Sequence, residues 1–239
     1  TGSLNSIEKI GAAQSQTILV KVISNIVLFD GVQTRFVFKN YAIKKVVSVQ
    51  GLSGTGKTEL LLHKLKELYI NDETTKIFFT CHNIALADKL LQRIPRFFDF
   101  MMVNKQIKWN ERLWMARAWG SKNYPDSGLY SYLCEYYDIP FLRYTHGIDY
   151  QFIYSKVLEH LESIPQKSFK PCFDYILVDE SQDFPEVFFT VCKKVVRQKV
   201  YIAGDVFQDI FDTVKKKKWG VDIVLNLSII HISEPTRPY

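Results

Sequence analysis

A chain of 239 residues is long enough for one substantial core, or for one core with a small inserted subdomain. Apolar and charged fractions of 47% and 23% are those of a globular protein, and no apolar run approaches the length of a membrane-crossing helix. A net charge of +6 leans mildly toward a polyanionic partner and decides nothing alone.

From the N-terminus, residues 1–6 are polar, with no basic stretch ahead of an apolar one, so no signal peptide is read there. Without an initial Met, the expectation is a fragment or a processed chain. The longest apolar run, 18–29, is short and interrupted by Lys21, Ser24 and Asn25. Strands are predicted at residues 45–50 (KVVSVQ), 76–80 (KIFFT), 175–179 (YILVD) and 199–203 (KVYIA). Each is a nearly continuous apolar run, as expected of strands covered on both faces. A helix over 57–69 places Leu61, Leu62, Leu65, Leu68 and Tyr69 on one side, with Lys64 and Glu67 available for the other. A second, over 83–93, repeats the pattern with Ile84, Leu86, Ala87, Leu90 and Leu91. Strands alternating with helices predict an α/β fold with a parallel, layered sheet.

Residues 102–170 break that rhythm. They are rich in Tyr and Trp, hold turn signals at 123–128 (NYPDSG), and end in a helical run over 152–161. They read as a partly helical subdomain inserted between 1–101 and 171–226. Trp109, Trp114 and Trp119, at five-residue spacing, read as packing residues ahead of a nucleic-acid groove. Lys215 to Lys218 read equally as a solvated face or as phosphate contacts. Cys81, Cys134, Cys172 and Cys192 have no short spacing, which argues against a disulfide framework or zinc site and points to a reducing cytoplasm. Residues 227–237 (LSIIHISEPTR) closely resemble a translated synthetic transposase adapter. The expectation is therefore a non-native tail at 227–239 and a native gene continuing past about residue 226.

The strongest chemical signal is Gly51-Leu-Ser53-Gly54-Thr55-Gly56-Lys57-Thr58, which fits GxxxxGK[ST]. On average composition, on the order of 1% of chains this long meet that pattern by chance. Here it also follows an apolar strand and opens an amphipathic helix, as phosphate binding demands. Glycines let backbone N–H groups wrap a phosphate, and the helix N-terminus adds a favourable field. In such a loop Lys57 reaches the β- and γ-phosphates of ATP and Thr58 ligates Mg²⁺. A second carboxylate for the metal is expected at the end of another buried strand, where Asp179 stands. The adjacent Glu180 is placed to orient and deprotonate the attacking water.

Asp179-Glu-Ser-Gln-Asp183 resembles the DExQD form of the second motif in UvrD/Rep-like superfamily 1 DNA helicases. Gly204-Asp-Val-Phe-Gln208-Asp-Ile-Phe211 resembles their third motif, and Thr80-Cys-His-Asn83-Ile-Ala85 their TxxNxA motif. The resemblance covers most of residues 13 to 213, and Arg117-Ala-Trp-Gly120 stands where the next DNA-contacting motif falls. It implies a P-loop NTPase (RecA-like) domain with a mostly parallel sheet flanked by helices, divided as 1A (1–101), an inserted 1B-like subdomain (102–170), and 1A again (171–226). It implies that Gln208 senses the γ-phosphate, that Asp205 buttresses the site, and that Gln16 reads adenine, with Gln14 competing for that role. Thr80, His82, Asn83 and Trp119 would touch single-stranded DNA. Cys81 departs from the family, which often has an aromatic there. Either His82 substitutes, or a stacking contact worth about 1–3 kcal/mol is lost.

The implied activity is an ATP-dependent DNA helicase or single-strand translocase with 3′-to-5′ travel. A second RecA-like domain would complete it, and without that domain's arginines turnover is expected to be slow. A motor acting on RNA is the alternative within enzymes. Outside that class stands a nucleotide-gated switch fused to an effector such as a nuclease.

Overall fold

The described strands form one six-stranded sheet in which every pairing is parallel. The computed structural model describes residues 31–39, 41, 45–143, 145–205 and 223–227. The strands are β1 (Val46–Gly51), β2 (Ile77–Cys81), β3 (Leu113–Arg117), β4 (Phe173–Val178), β5 (Val196–Asp205) and β6 (Ile223–Asn226), in the spatial order β3-β2-β4-β5-β1-β6. The helices are α1 (Gly31–Phe38), α2 (Lys57–Asn71), α3 (Ile84–Phe100), α4 (Leu129–Tyr136), α5 (Tyr150–Ser163) and α6 (Glu186–Val195). No helix among the described residues is long and apolar enough to cross a membrane.

The period-2 alternation of strand side chains divides the core into two sheets of contacts. Val47, Val49, Ile77, Phe79, Leu177, Tyr201 and Ala203 face α1, α2 and α3. Val46, Phe78, Ile176, Val178, Val200 and Ile202 face α4, α5 and α6. Strands buried on both faces explain why the sequence shows unbroken apolar runs instead of alternation. The result is the layered, RecA-like P-loop architecture that the motif order implies.

Two elements depart from their predicted extents. Helix α3 runs through Pro95 to Phe100, well beyond residue 93. An internal proline costs about 3 kcal/mol, and here burial of Ile94, Phe97 and Phe98 beyond the expected end offsets it. Strand β3 lies inside the stretch expected to form an inserted subdomain. Residues 102–170 supply this edge strand together with α4 and α5, and all three join the cluster that covers the sheet. Trp114, Tyr130 and Tyr154 lie in one buried cluster with Phe78, Ile176 and their neighbours. Trp114 and Trp119 are buried there and Trp109 packs on the opposite cluster, as packing residues do.

Loop geometry admits this return path only through close backbone contact. Gly120 has φ +88°, and a Cβ on Gly128 would fall within 2.2 Å of the Gly120 nitrogen. Asn83 and Asp149 cap α3 and α5, their side chains accepting from Ala85 and Leu86 N–H and from Phe152 N–H respectively. All four cysteines are buried thiols.

On α2, His63 is buried with its ring edge-on to Phe97 at 4.9 Å. Burial, helped by the charge of Lys66, lowers its pKa to about 4. The unfolded chain binds this proton near pH 6.5, so stability falls as pH drops through that window. Wild type should lose roughly 3 kcal/mol relative to His63→Leu between pH 7 and pH 4, read from urea melts. Parallel pH curves for the two proteins would show that His63 titrates normally.

Candidate functional site

All the expected phosphate-binding residues lie where β1 hands over to α2. Gly51 ends the strand, and Gly54 and Gly56 both sit at φ +80°, a region that residues with a Cβ enter only at a cost. Gly56 is the N-cap of α2 and supplies no side-chain cap, so the first-turn N–H groups of α2 lack that partner. Thr55 closes the turn, its N–H and hydroxyl both donating to Leu52 O at 3.2 and 2.8 Å. Ser53 stands exposed on the rim. Lys57 is buried, and its ammonium donates to the carbonyls of Gly51 and Leu52 at 2.9 and 2.8 Å. It is held by the loop it would serve.

Asp179 follows β4, two strands away from β1, and yet meets Thr58 directly. The Thr58 hydroxyl donates to Asp179 Oδ2 at 2.7 Å, while Oδ1 accepts from the Glu180 N–H at 3.1 Å. With 1% of its surface exposed, Asp179 is pushed up to a pKa of about 6, mainly by burial. The Thr58 hydroxyl opposes the shift and the neighbouring charge of Glu180 adds to it. Glu180 has left-handed backbone, φ +51°. Gln182 donates to the Glu180 carboxylate at 2.7 Å and accepts from the N–H of Asp205 at the end of β5 at 3.2 Å.

One hydroxyl and one carboxylate make a sparse metal site, and no cluster of three or more His, Cys, Asp or Glu ligands occurs among the described residues. That donor set fits Mg²⁺, which keeps several waters and takes its other ligands from substrate phosphates.

Beyond the ends of β2 and β3 opens a cavity of about 720 Å³, which His82, Asn83, Arg117, Trp119, Lys122, Arg143 and Tyr150 help to line. Among the described residues its lining holds three cationic side chains, Arg117, Lys122 and Arg143, and no carboxylate. The His82 ring packs on Tyr150 at 4.6 Å, and Trp119 meets Tyr150 edge-on at 5.3 Å. Positive charge interleaved with aromatic rings is the chemistry that grips single strands. Three of the expected DNA contacts, His82, Asn83 and Trp119, thus come together. The fourth does not: Thr80 is fully buried in the sheet, its hydroxyl without a partner, and it has no surface to offer. Asn83 has its carbonyl oxygen engaged as a helix cap.

Sequence reading had not assigned Lys122, Arg143 or Tyr150 to this site. Arg143 lies in the connection before α5 and Tyr150 opens that helix; neither belongs to a motif, and both are placed by packing of α5 on the sheet. Gln182 lay inside a quoted motif without a role. Gln16, Gln14, Gln208, Lys215 to Lys218 and residues 228–239 lie outside the described residues. Leu227, the first residue of the suspected tail, is described: it is buried, and its N–H donates to Gln50 O at 2.7 Å.

A search of curated proteins found no match to this chain. Among solved structures, the chain is similar to the DUF1998 helicase MrfA bound to DNA, with a TM-score of 0.48 and 12% identity over 88% of this chain and 29% of that one. The same helicase bound to DNA and AMPPNP gives a TM-score of 0.47 and 13% identity over 87% and 28%. The chain thus spans less than a third of those proteins. The family model for ResIII, described as type III restriction enzyme, res subunit, matches residues 15–202, from ahead of the P-loop into β5. With most of its length inside that match, and with a P-loop and buried aspartate joined across a parallel sheet, this chain belongs to the ResIII family, a helicase-family domain.

Proposed function

We propose that this chain is the ATP-binding motor domain of an ATP-dependent DNA helicase or single-stranded DNA translocase. The observation that carries the reading is the 2.7 Å hydrogen bond from Thr58 to Asp179, with Glu180 next in the chain and Lys57 on the loop. This is the arrangement phosphoryl transfer asks of a P-loop enzyme: a cradle for the phosphates, a hydroxyl and a carboxylate for the cation, and a base beside them. The finer placement, with UvrD/Rep-like superfamily 1 helicases, rests on the DESQD run and on Gly204-Asp-Val-Phe-Gln208. The matching family is ResIII, and the reading as an ATP-driven motor is supported by the phosphate loop and the Thr58–Asp179 contact.

In this reading the N–H groups of residues 54–58 and the Lys57 ammonium hold the β- and γ-phosphates of ATP. Thr58 and Asp179 would hold Mg²⁺, which when bound neutralises charge across those phosphates. Glu180 accepts a proton from water as the water oxygen attacks the γ-phosphorus. The bond to the bridging oxygen breaks, and ADP and phosphate leave. Single-stranded DNA occupies the cavity beside His82, with bases against its rings and phosphates near Arg117, Lys122 and Arg143.

The test is ATPase activity of the protein with its full native chain, with and without single-stranded DNA or RNA. Activity should rise with DNA and fall about 10²–10⁴-fold in Glu180→Gln. It should fall about 10²–10³-fold in Lys57→Ala, the scale of losing one preorganised charge-stabilising donor. Nucleotide binding that neither nucleic acid stimulates would favour the nucleotide-gated switch instead.

Two further outcomes are expected. Arg143→Ala and Lys122→Ala should each weaken binding to a thymidine oligonucleotide, and should lower the slope of log affinity against log salt by about 0.7 per lost phosphate contact. Slopes identical to wild type would move the strand elsewhere. Asp179 holds its proton to about pH 6 when folded and to about 3.8 when unfolded, so nucleotide-free stability is lost as pH rises across that window. At pH 7.5, nucleotide-free Asp179→Asn should therefore be inactive yet more stable by about 1–3 kcal/mol, melting several degrees higher. A lower melting temperature would show that the charge is better satisfied than its burial suggests.

A further inference from the structure

Gln182 spans two strand ends. Its amide nitrogen donates to Glu180 Oε2 at 2.7 Å, and its amide oxygen accepts from the backbone N–H of Asp205 at 3.2 Å. These two partners fix which way the amide points. Reversed, it would set oxygen against carboxylate and N–H against N–H. The approach is close: a Cβ on Gly204 would come within 2.4 Å of Ser181 Oγ and 3.3 Å of Gln182 Oε1. Only a residue without a side chain lets the end of β5 lie this near the segment after β4. Glu180 itself sits half-buried on left-handed backbone, with a long side chain that has several rotamers to choose from.

We infer that Gln182 is the positioning residue for Glu180, holding its carboxylate by a charge-assisted hydrogen bond and tying its direction to the end of β5. The inference rests on the reading of Glu180 as the base of an ATPase. It adds a mechanical consequence: a shift of the β5 terminus relative to β4 reaches the base through one side chain. Strand β5 ends at Asp205, so the backbone position there bears directly on the direction of Glu180.

The experiment measures kcat and KM for ATP in the protein with its full native chain. Gln182→Leu keeps the bulk and removes both hydrogen bonds. Its kcat should fall on the order of tenfold to a hundredfold, the scale of one charge-assisted hydrogen bond. KM should stay within about twofold, because ground-state binding of ATP does not use this contact. Gln182→Glu keeps an acceptor for Asp205 and loses the donor to Glu180, and kcat should fall at least as far. A residue that merely braced β5 would show independent losses when Gln182→Leu is combined with Glu180→Gln. In single turnovers of Glu180→Gln, adding Gln182→Leu should cost nothing further, since the two act as one unit. Independent losses in the double variant, or wild-type kcat in Gln182→Glu, would overturn the inference. Thermal melts identify a variant that fails to fold, and if Gln182→Leu does, Gln182→Glu alone and combined with Glu180→Gln decides the matter. An inactive wild type removes the ATPase reading and this inference with it. An active wild type indifferent to Gln182 removes the inference alone.

Discussion

A carboxylate with 1% of its surface exposed is costly inside a protein, and Asp179 is accommodated because both of its oxygens accept hydrogen bonds, from Thr58 and from the N–H of Glu180. The bond to Thr58 fixes the first turn of α2 against the end of β4, with β5 lying between β4 and β1. It therefore sets the distance between the phosphate loop and the carboxylates. Lys57 and Glu180, each the neighbour of one partner, are brought to the same place by it. Much of the site's geometry follows from that one contact.

A parallel sheet makes such a contact possible. The strands all end on the same side, so the segments that follow β1, β2 and β4 converge there. Covering both faces with helices leaves the strand ends as the place where polar chemistry meets solvent. The two faces are not alike, however. The face under α1, α2 and α3 is mainly aliphatic with scattered rings, whereas that under α4, α5 and α6 carries a run of aromatic contacts. Phe184 stacks on Phe188 at 4.0 Å and meets both His82 and Tyr150 at the cavity. Phe184 directly follows the DESQD segment. The residues around the candidate base and those lining the cavity therefore share one packed aromatic wall.

Much of the site was legible in the chain because phosphate chemistry is local. A loop that wraps a phosphate needs particular residues at fixed offsets, and the strand before it and helix after it carry their own periodicities. The same holds for Asp179 and Glu180 after an apolar strand. The cavity is different. His82, Arg117 and Arg143 are far apart in sequence, and no local rule says that they meet. Thr80 shows the opposite failure: a residue quoted from a motif, placed in mid-strand, is withdrawn from any ligand by the burial that the strand pattern itself predicts. Strand β3 is not legible in the sequence because its residues belong to a Tyr- and Trp-rich stretch with turn signals, and its identity comes from pairing with β2.

By itself, the sequence determined the order of strand and helix, the phosphate loop, and the pair of carboxylates, since each depends on neighbours within a few residues. Tertiary structure alone decided that residues 102–170 complete the sheet and cover one of its faces. It also decided that Thr58 and Asp179 share a hydrogen bond and that Gln182 bridges Glu180 to β5. Those are contacts between segments that only strand order brings together. Strand order is set by how two whole layers of helices bury both faces of the sheet, a sum over the chain that no single window of sequence contains.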